Sequence, residues 1–151
     1  RAAALLGDVD LVIAGDGPVR DDLARLGREL GVRLHLPGFV DDVEALLQLS
    51  TVMVATSVRE GASIAVLEAI SLGTACVVTP VCTHDDLARS GAVVVVPAGA
   101  PEAVAEAIRP LLRDPDELEA LRSRAREAAD RYSVSRMVAE YEALVAAVAN
   151  R

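Results

Sequence analysis

TVMVATSVREGASIAVLEAISLGTACVVT, residues 51–79, is the stretch that decides the fold. Thr51 to Thr56 is a short β-branched and apolar run that stops at a polar loop, Ser57 to Ala62, and so reads as a strand. A helix is predicted from about Ser63 to Leu72, closed by Gly73, and Ala75 to Thr79 begins the next strand. A strand, a helix and a strand in immediate succession form a crossover unit, the connection that parallel strands require.

The same alternation extends to both sides. Upstream, Asp10 to Gly15 (DLVIAG) is a strand ended by the turn residues Gly15-Asp16-Gly17-Pro18. The helix Val19 to Leu30 follows, with Leu23, Leu26 and Leu30 at helical spacing and a stop at Gly31. Arg33 to Leu36 gives another strand, and Asp41 or Asp42 caps a helix through Leu49. Downstream come a short helix at Asp85 to Arg89 and a fifth strand at Ala92 to Val96. Three helical segments close the chain: Pro101 to Leu112, Pro115 to Arg131 and Ser133 to Ala149. Strands that are apolar throughout are expected to be buried on both faces, which predicts an α/β fold with a doubly wound parallel sheet and C-terminal helices. Ligands on such sheets sit at the carboxyl ends of the strands. Ala2 to Leu6 reads as the tail of a helix, so the domain is expected to begin upstream.

At 151 residues the chain fits one domain. Its net charge of −8, with arginine as its only fixed cation, opposes binding to phosphate backbones or anionic membranes. One Phe, two Tyr and no Trp leave no stacking platform for nucleic acid. No apolar run reaches the roughly 18 to 20 residues of a spanning helix, so no membrane insertion is expected, and the chain reads as soluble and cytoplasmic. Cys76 and Cys82 read as reduced and structural, and no metal site is expected.

Arg59 to Gly73 (REGASIAVLEAISLG) carries the chemical signal. Glu60 ends the strand-to-helix loop, Gly61 permits close backbone approach, and Ser63 is placed to cap the helix. The helix would point its free N–H groups and positive dipole end into the cleft, a way of holding a diphosphate without Lys or Arg. Glu68 is the lone charge in an otherwise apolar helix, so it should reach solvent at the cleft or accept hydrogen bonds. It lies roughly 7 Å beyond the helix start at about 1.5 Å per residue, a span suited to the ribose of a nucleotide whose diphosphate sits at that start.

Glu60, seven residues and Glu68, in the form EGxxxxxLEAxxxG, resemble the paired-glutamate motif of the group 1 (family 4) retaining glycosyltransferases. LVIAGDGP, LHLPGFVDDVEALL, AGAPEAVAEAI and the pair Tyr132-Ser133 extend the similarity over nearly the whole chain. The resemblance implies the nucleotide-sugar-binding half of a two-domain GT-B enzyme, truncated at its N-terminus and lacking the acceptor-binding domain. It implies that Glu60 is the catalytic residue on the donor sugar, that Gly61, Ala62, Ser63 and Ile64 contact sugar and diphosphate, and that Glu68 holds the ribose. Phe39 and Val40 would sit by the base. The implied substrate is a nucleoside diphosphate sugar, with no cofactor and no obligatory metal, and this chain alone is expected to be inactive.

The sequence departs from the family pattern at Cys82-Thr83-His84-Asp85-Asp86, where a Gly-Gly pair usually precedes Pro-Glu. That change favours a rival reading, a degenerate, non-catalytic module for binding or assembly. Of the other polar residues, His35 reads as structural and His84, in the divergent loop, as a minor candidate for facing the donor. Asp41-Asp42 and Asp85-Asp86 read as helix caps because adjacent side chains diverge. Gly15-Asp16-Gly17 reads as a turn, since Arg20 stands where a dinucleotide fingerprint has its third Gly. Asp116 to Arg131 reads as a solvated helix face. The apolar stripe of the last helix, around Met137 to Val148, is expected to be exposed and to support a homodimer.

Overall fold

The structure, a computed structural model, describes residues 1–81 and 84–149. The predicted alternation is present. In chain order the elements are α1 (Ala2–Leu6), β1 (Asp10–Ala14), α2 (Arg20–Glu29), β2 (Arg33–Gly38), α3 (Val43–Leu49) and β3 (Val52–Ala55). They continue through α4 (Ile64–Ser71), β4 (Ala75–Val78), α5 (Asp85–Arg89), β5 (Val94–Val95), α6 (Pro101–Arg113), α7 (Pro115–Ala129) and α8 (Val134–Ala149). A single 3-10 turn, Asp130–Tyr132, joins the last two helices and takes up the end of the segment predicted as one helix to Arg131.

Every strand pairing is parallel. The strands form two sets, β1 with β2 and β3–β4–β5, and among the described residues the two sets are not hydrogen-bonded to each other. β4 is central to its set, and its alternation divides the core. Cys76 and Val78 face Val66, Ala69 and Ile70 of α4 and Ala125 and Ala128 of α7. Ala75 and Val77 face Val104, Ile108 and Leu111 of α6, with Ala2 and Leu6 of α1 beside them. Helices therefore cover both faces of β4, as the α/β reading requires.

Burial on both faces does not extend to every strand. β1 alternates between exposed and half-buried residues, and Val12 is 41% exposed. Its apolar composition predicted a buried strand, but among the described residues β1 pairs with β2 alone and its burial alternates, so it lacks the enclosure that neighbouring strands and helices on both faces give β4. Half the length of α8 or more is also apolar, yet none of its residues is buried. No helix among the described residues is long and apolar enough to cross a membrane.

Local signals account for several element ends. Asp42 accepts the Ala45 N–H at 2.8 Å and caps α3, settling the choice between Asp41 and Asp42. Asp114 accepts from Asp116 and Glu117 at the start of α7. Gly31 and Gly73 close their helices at φ 65° and 73°, a region that favours glycine. α7 is more than a solvated face: Leu121, Ala125 and Ala128 are buried, and Arg122 and Arg124 donate to the Ser50 and Gly91 carbonyls.

Candidate functional site

The β3–α4 loop gathers the polar groups. Glu60 accepts a hydrogen bond on each carboxylate oxygen, one from the Ser57 hydroxyl and one from the Ser63 hydroxyl. These two donors, Ser57 foremost, hold its carboxyl below the usual carboxylate range, with a smaller contribution from His84. Glu60 is thus an oriented anion with its acceptor directions set by the fold.

Ser63 occupies the N-cap position of α4, but its hydroxyl does not cap the helix. It donates to the Glu60 carboxylate, a charge-assisted hydrogen bond, which corrects the expectation drawn from its position. Its carbonyl instead receives the Val66 and Leu67 N–H groups. Beside this loop lies an open cavity of about 510 Å³, lined by the continuous run Met53 to Ser57, by Glu60 and by Ala62 to Val66. That volume falls in the range of small-molecule sites.

Of the residues singled out in the sequence, Glu60, Ala62, Ser63 and Ile64 line this cavity. Gly61 lies beside it, and a Cβ built there meets nothing within 4 Å, so the chain's own packing does not demand glycine. Glu68 is exposed on α4 and outside the cavity lining, which answers the question its sequence posed: it reaches solvent. Phe39, 86% exposed, and half-buried Val40 lie in the loop after β2 and are not brought into the same cavity. Arg20 donates to the Leu36 carbonyl at 2.5 Å and pins the strand that leads into that loop.

Ser57 was not singled out from sequence, although Ser57 and Ser63 each stand three residues from Glu60, spacing that lets both hydroxyls meet one carboxylate. His84 is only 1% exposed, and its Nδ1 lies 2.8 Å from the Thr79 carbonyl. Cys82 and Thr83, the pair that departs from the glycines, lie outside the described residues. Cys76 is free and buried, and burial pushes its thiol up to about 12. His35 bonds the Asp10 carboxylate at 2.7 Å on the exposed surface, at the amino end of β1. Among the described residues no three His, Cys, Asp or Glu side chains gather as a metal site.

Residues 1–128 match the family described as Glycosyl transferases group 1. EpsD of Bacillus subtilis (strain 168) is 33% identical over 147 residues, which are 93% of this chain and 39% of EpsD. The GDP-mannose-dependent alpha-(1-6)-phosphatidylinositol dimannoside mannosyltransferase of Mycobacterium tuberculosis is 36% identical over 114 residues, 72% of this chain and 29% of the relative. The chain therefore spans well under half the length of these relatives. Among solved structures, HepE from Anabaena in complex with UDP superposes with a TM-score of 0.88 at 19% identity, over 97% of this chain and 44% of HepE. At that identity the likeness shows the fold, the α/β Rossmann-like arrangement of GT-B glycosyltransferases.

Proposed function

Because the chain belongs to the group 1 glycosyl transferases, we propose that it is the donor-binding domain of a retaining enzyme that moves a sugar from a nucleoside diphosphate to an acceptor. The observation that carries the reading is the Glu60 carboxylate, gripped by Ser57 and Ser63 at the mouth of α4 and facing a cavity of ligand size. An anion fixed this way accepts from sugar hydroxyls without first reorganising, the condition for strong transition-state binding. Gly61, Ala62, Ser63 and Ile64 offer backbone to the sugar and diphosphate at the positive end of α4. Glu68, solvent-facing on the same helix, takes the ribose hydroxyls, and Phe39 and Val40 flank the base. Diphosphate stabilisation by the helix end needs no metal. The reading goes with a cytoplasmic enzyme, in keeping with the free Cys76 thiol.

The donor domain is proposed to be completed by further chain, along with an acceptor-binding domain. β1 and β3 are each paired along one edge only, both in parallel sets, and one more parallel strand between them would make a single sheet. On this reading the 151 residues alone do not turn over.

The test is a calorimetric titration with UDP, GDP and ADP, without metal, of the chain and of Glu68→Ala. Selective binding of one nucleotide that Glu68→Ala weakens at least tenfold is expected. Equal binding by the variant removes Glu68 from the site, and no binding by any of the three favours the rival reading of an assembly module. One observation speaks for assembly in either case: α8 exposes Met137, Val138, Tyr141 and Val145 around an apolar groove. A homodimer through this helix is proposed, and sedimentation should show Tyr141→Asp with Val145→Asp to be monomeric where the parent chain associates.

A further inference from the structure

We infer that His84 is a positioning residue for Glu60, acting through Thr79 and Ser57. The inference rests on the reading of Glu60 as the group that meets the donor sugar, and it adds a residue to which nothing in the paired-glutamate pattern assigns a role.

The connection is continuous. Because a carbonyl can only accept, the 2.8 Å contact with the Thr79 carbonyl puts a proton on His84 Nδ1. Thr79, itself 1% exposed, then fastens β4 to the β3 loop twice. Its N–H donates to the Ala55 carbonyl at 2.9 Å, and its hydroxyl donates to the Ser57 carbonyl at 2.5 Å, with the Ala55 carbonyl a more distant second acceptor at 3.3 Å. Ser57 in turn donates its hydroxyl to Glu60. From imidazole to carboxylate, three hydrogen bonds are joined through the covalent frames of Thr79 and Ser57.

A bland reading makes His84 a filler of the core, but its chemistry argues otherwise. Its Nε2 is buried with no partner among the described residues, an orphaned polar atom whose desolvation is not repaid. Leucine would fill similar volume without that cost, so what distinguishes histidine here is the donor at Nδ1. Without it the Thr79 carbonyl would itself be a buried acceptor lacking its side-chain donor, at the point where the β4 ladder ends. Direct contact between Nε2 and a ligand is not part of the arrangement, because that atom is sealed from solvent. His84 therefore works at one remove.

Asparagine carries an N–H at the same bond count from the backbone as Nδ1, whereas leucine carries none, so His84→Asn and His84→Leu separate donor from bulk. The readout is the carboxyl ¹³C titration of Glu60, followed by NMR in the unliganded chain, beside UDP titration by calorimetry. In His84→Leu the Glu60 midpoint should rise toward the ordinary 4.5, and His84→Asn should restore all but the small share that the imidazole charge contributes. Thr79→Val, which deletes only the hydroxyl link, should reproduce the rise, and it decides the question if His84→Leu does not fold. An unchanged Glu60 midpoint in a folded His84→Leu or Thr79→Val overturns the inference. A rise that His84→Asn fails to restore also overturns it, because the effect would then be the charge of the imidazole rather than its hydrogen bond. The Glu60 midpoint reports on positioning whether or not UDP binds, so failure of the donor reading shows separately, as loss of UDP binding in the parent chain.

Discussion

The same substitution placed in two strands tests how the sheet is enclosed. Val77 of β4 is fully buried against Val104, Ile108 and Leu111, whereas Val12 of β1 is 41% exposed. Val→Ala removes two carbons in each case, and because strand propensity itself largely reflects packing and burial, the difference between the variants follows the difference in enclosure. At about 0.8 kcal/mol per buried methylene, Val77→Ala loses about 1.6 kcal/mol of transfer energy. The void left between β4 and α6 cannot refill with water, which brings the total to about 2–3 kcal/mol. At Val12 the transfer loss shrinks to about 1 kcal/mol, and the opening lies at the surface, where solvent enters without a cavity cost. Urea unfolding followed by circular dichroism should therefore show a midpoint drop for Val77→Ala at least twice that for Val12→Ala, with unchanged m. Equal drops would refute the distinction between an enclosed β4 and an open β1.

Two further outcomes follow from particular bonds. Replacing Ser57 and Ser63 together by Ala should raise the Glu60 midpoint toward its ordinary value, as read by carboxyl NMR. Because the folded midpoint is depressed, the Glu60 contribution to stability is present above the ordinary 4.5 and is lost as pH falls through the folded value. The double variant should accordingly lose less stability than the parent between about pH 5 and the acid limit, and a parallel acid profile would remove the serines as the cause. Asp114→Ala removes the acceptor of two N–H groups at the start of α7 and should cost about 1 kcal/mol in thermal unfolding. A cost near zero would mean that water replaces the cap.

What the sequence made legible was whatever a short window determines. Asp42, Gly31 and Gly73 act on neighbours within one turn, and each ends its helix as its residue type requires. The glutamate pair was legible in the same way, as two carboxylates at fixed spacing around a helix start. Composition could not tell β1 from β4, because DLVIA and ACVV are both apolar and enclosure depends on neighbours remote in the chain. The same limit explains Ser63. Its position marks a cap, in which the hydroxyl oxygen would accept from a helix N–H, and only the folded loop shows that the hydroxyl is turned to donate to the Glu60 carboxylate and accepts from no helix N–H.

His84 marks the far end of that scale. It stands 24 residues from Glu60 in the chain, next to a pair that breaks the family pattern, and nothing local separates it from a surface histidine. The parallel pairing of β3 with β4 brings the two together, because it sets Ala55 beside Val78 and so delivers Thr79 to the start of the Glu60 loop. A strand register thus determines which histidine can act on which glutamate. If the register is the cause, Thr79→Ser, which keeps the hydroxyl, should leave the Glu60 midpoint where Thr79→Val raises it. A midpoint raised equally by both would refute the hydrogen bond as the cause, because Thr79→Ser keeps the hydroxyl and loses only the methyl.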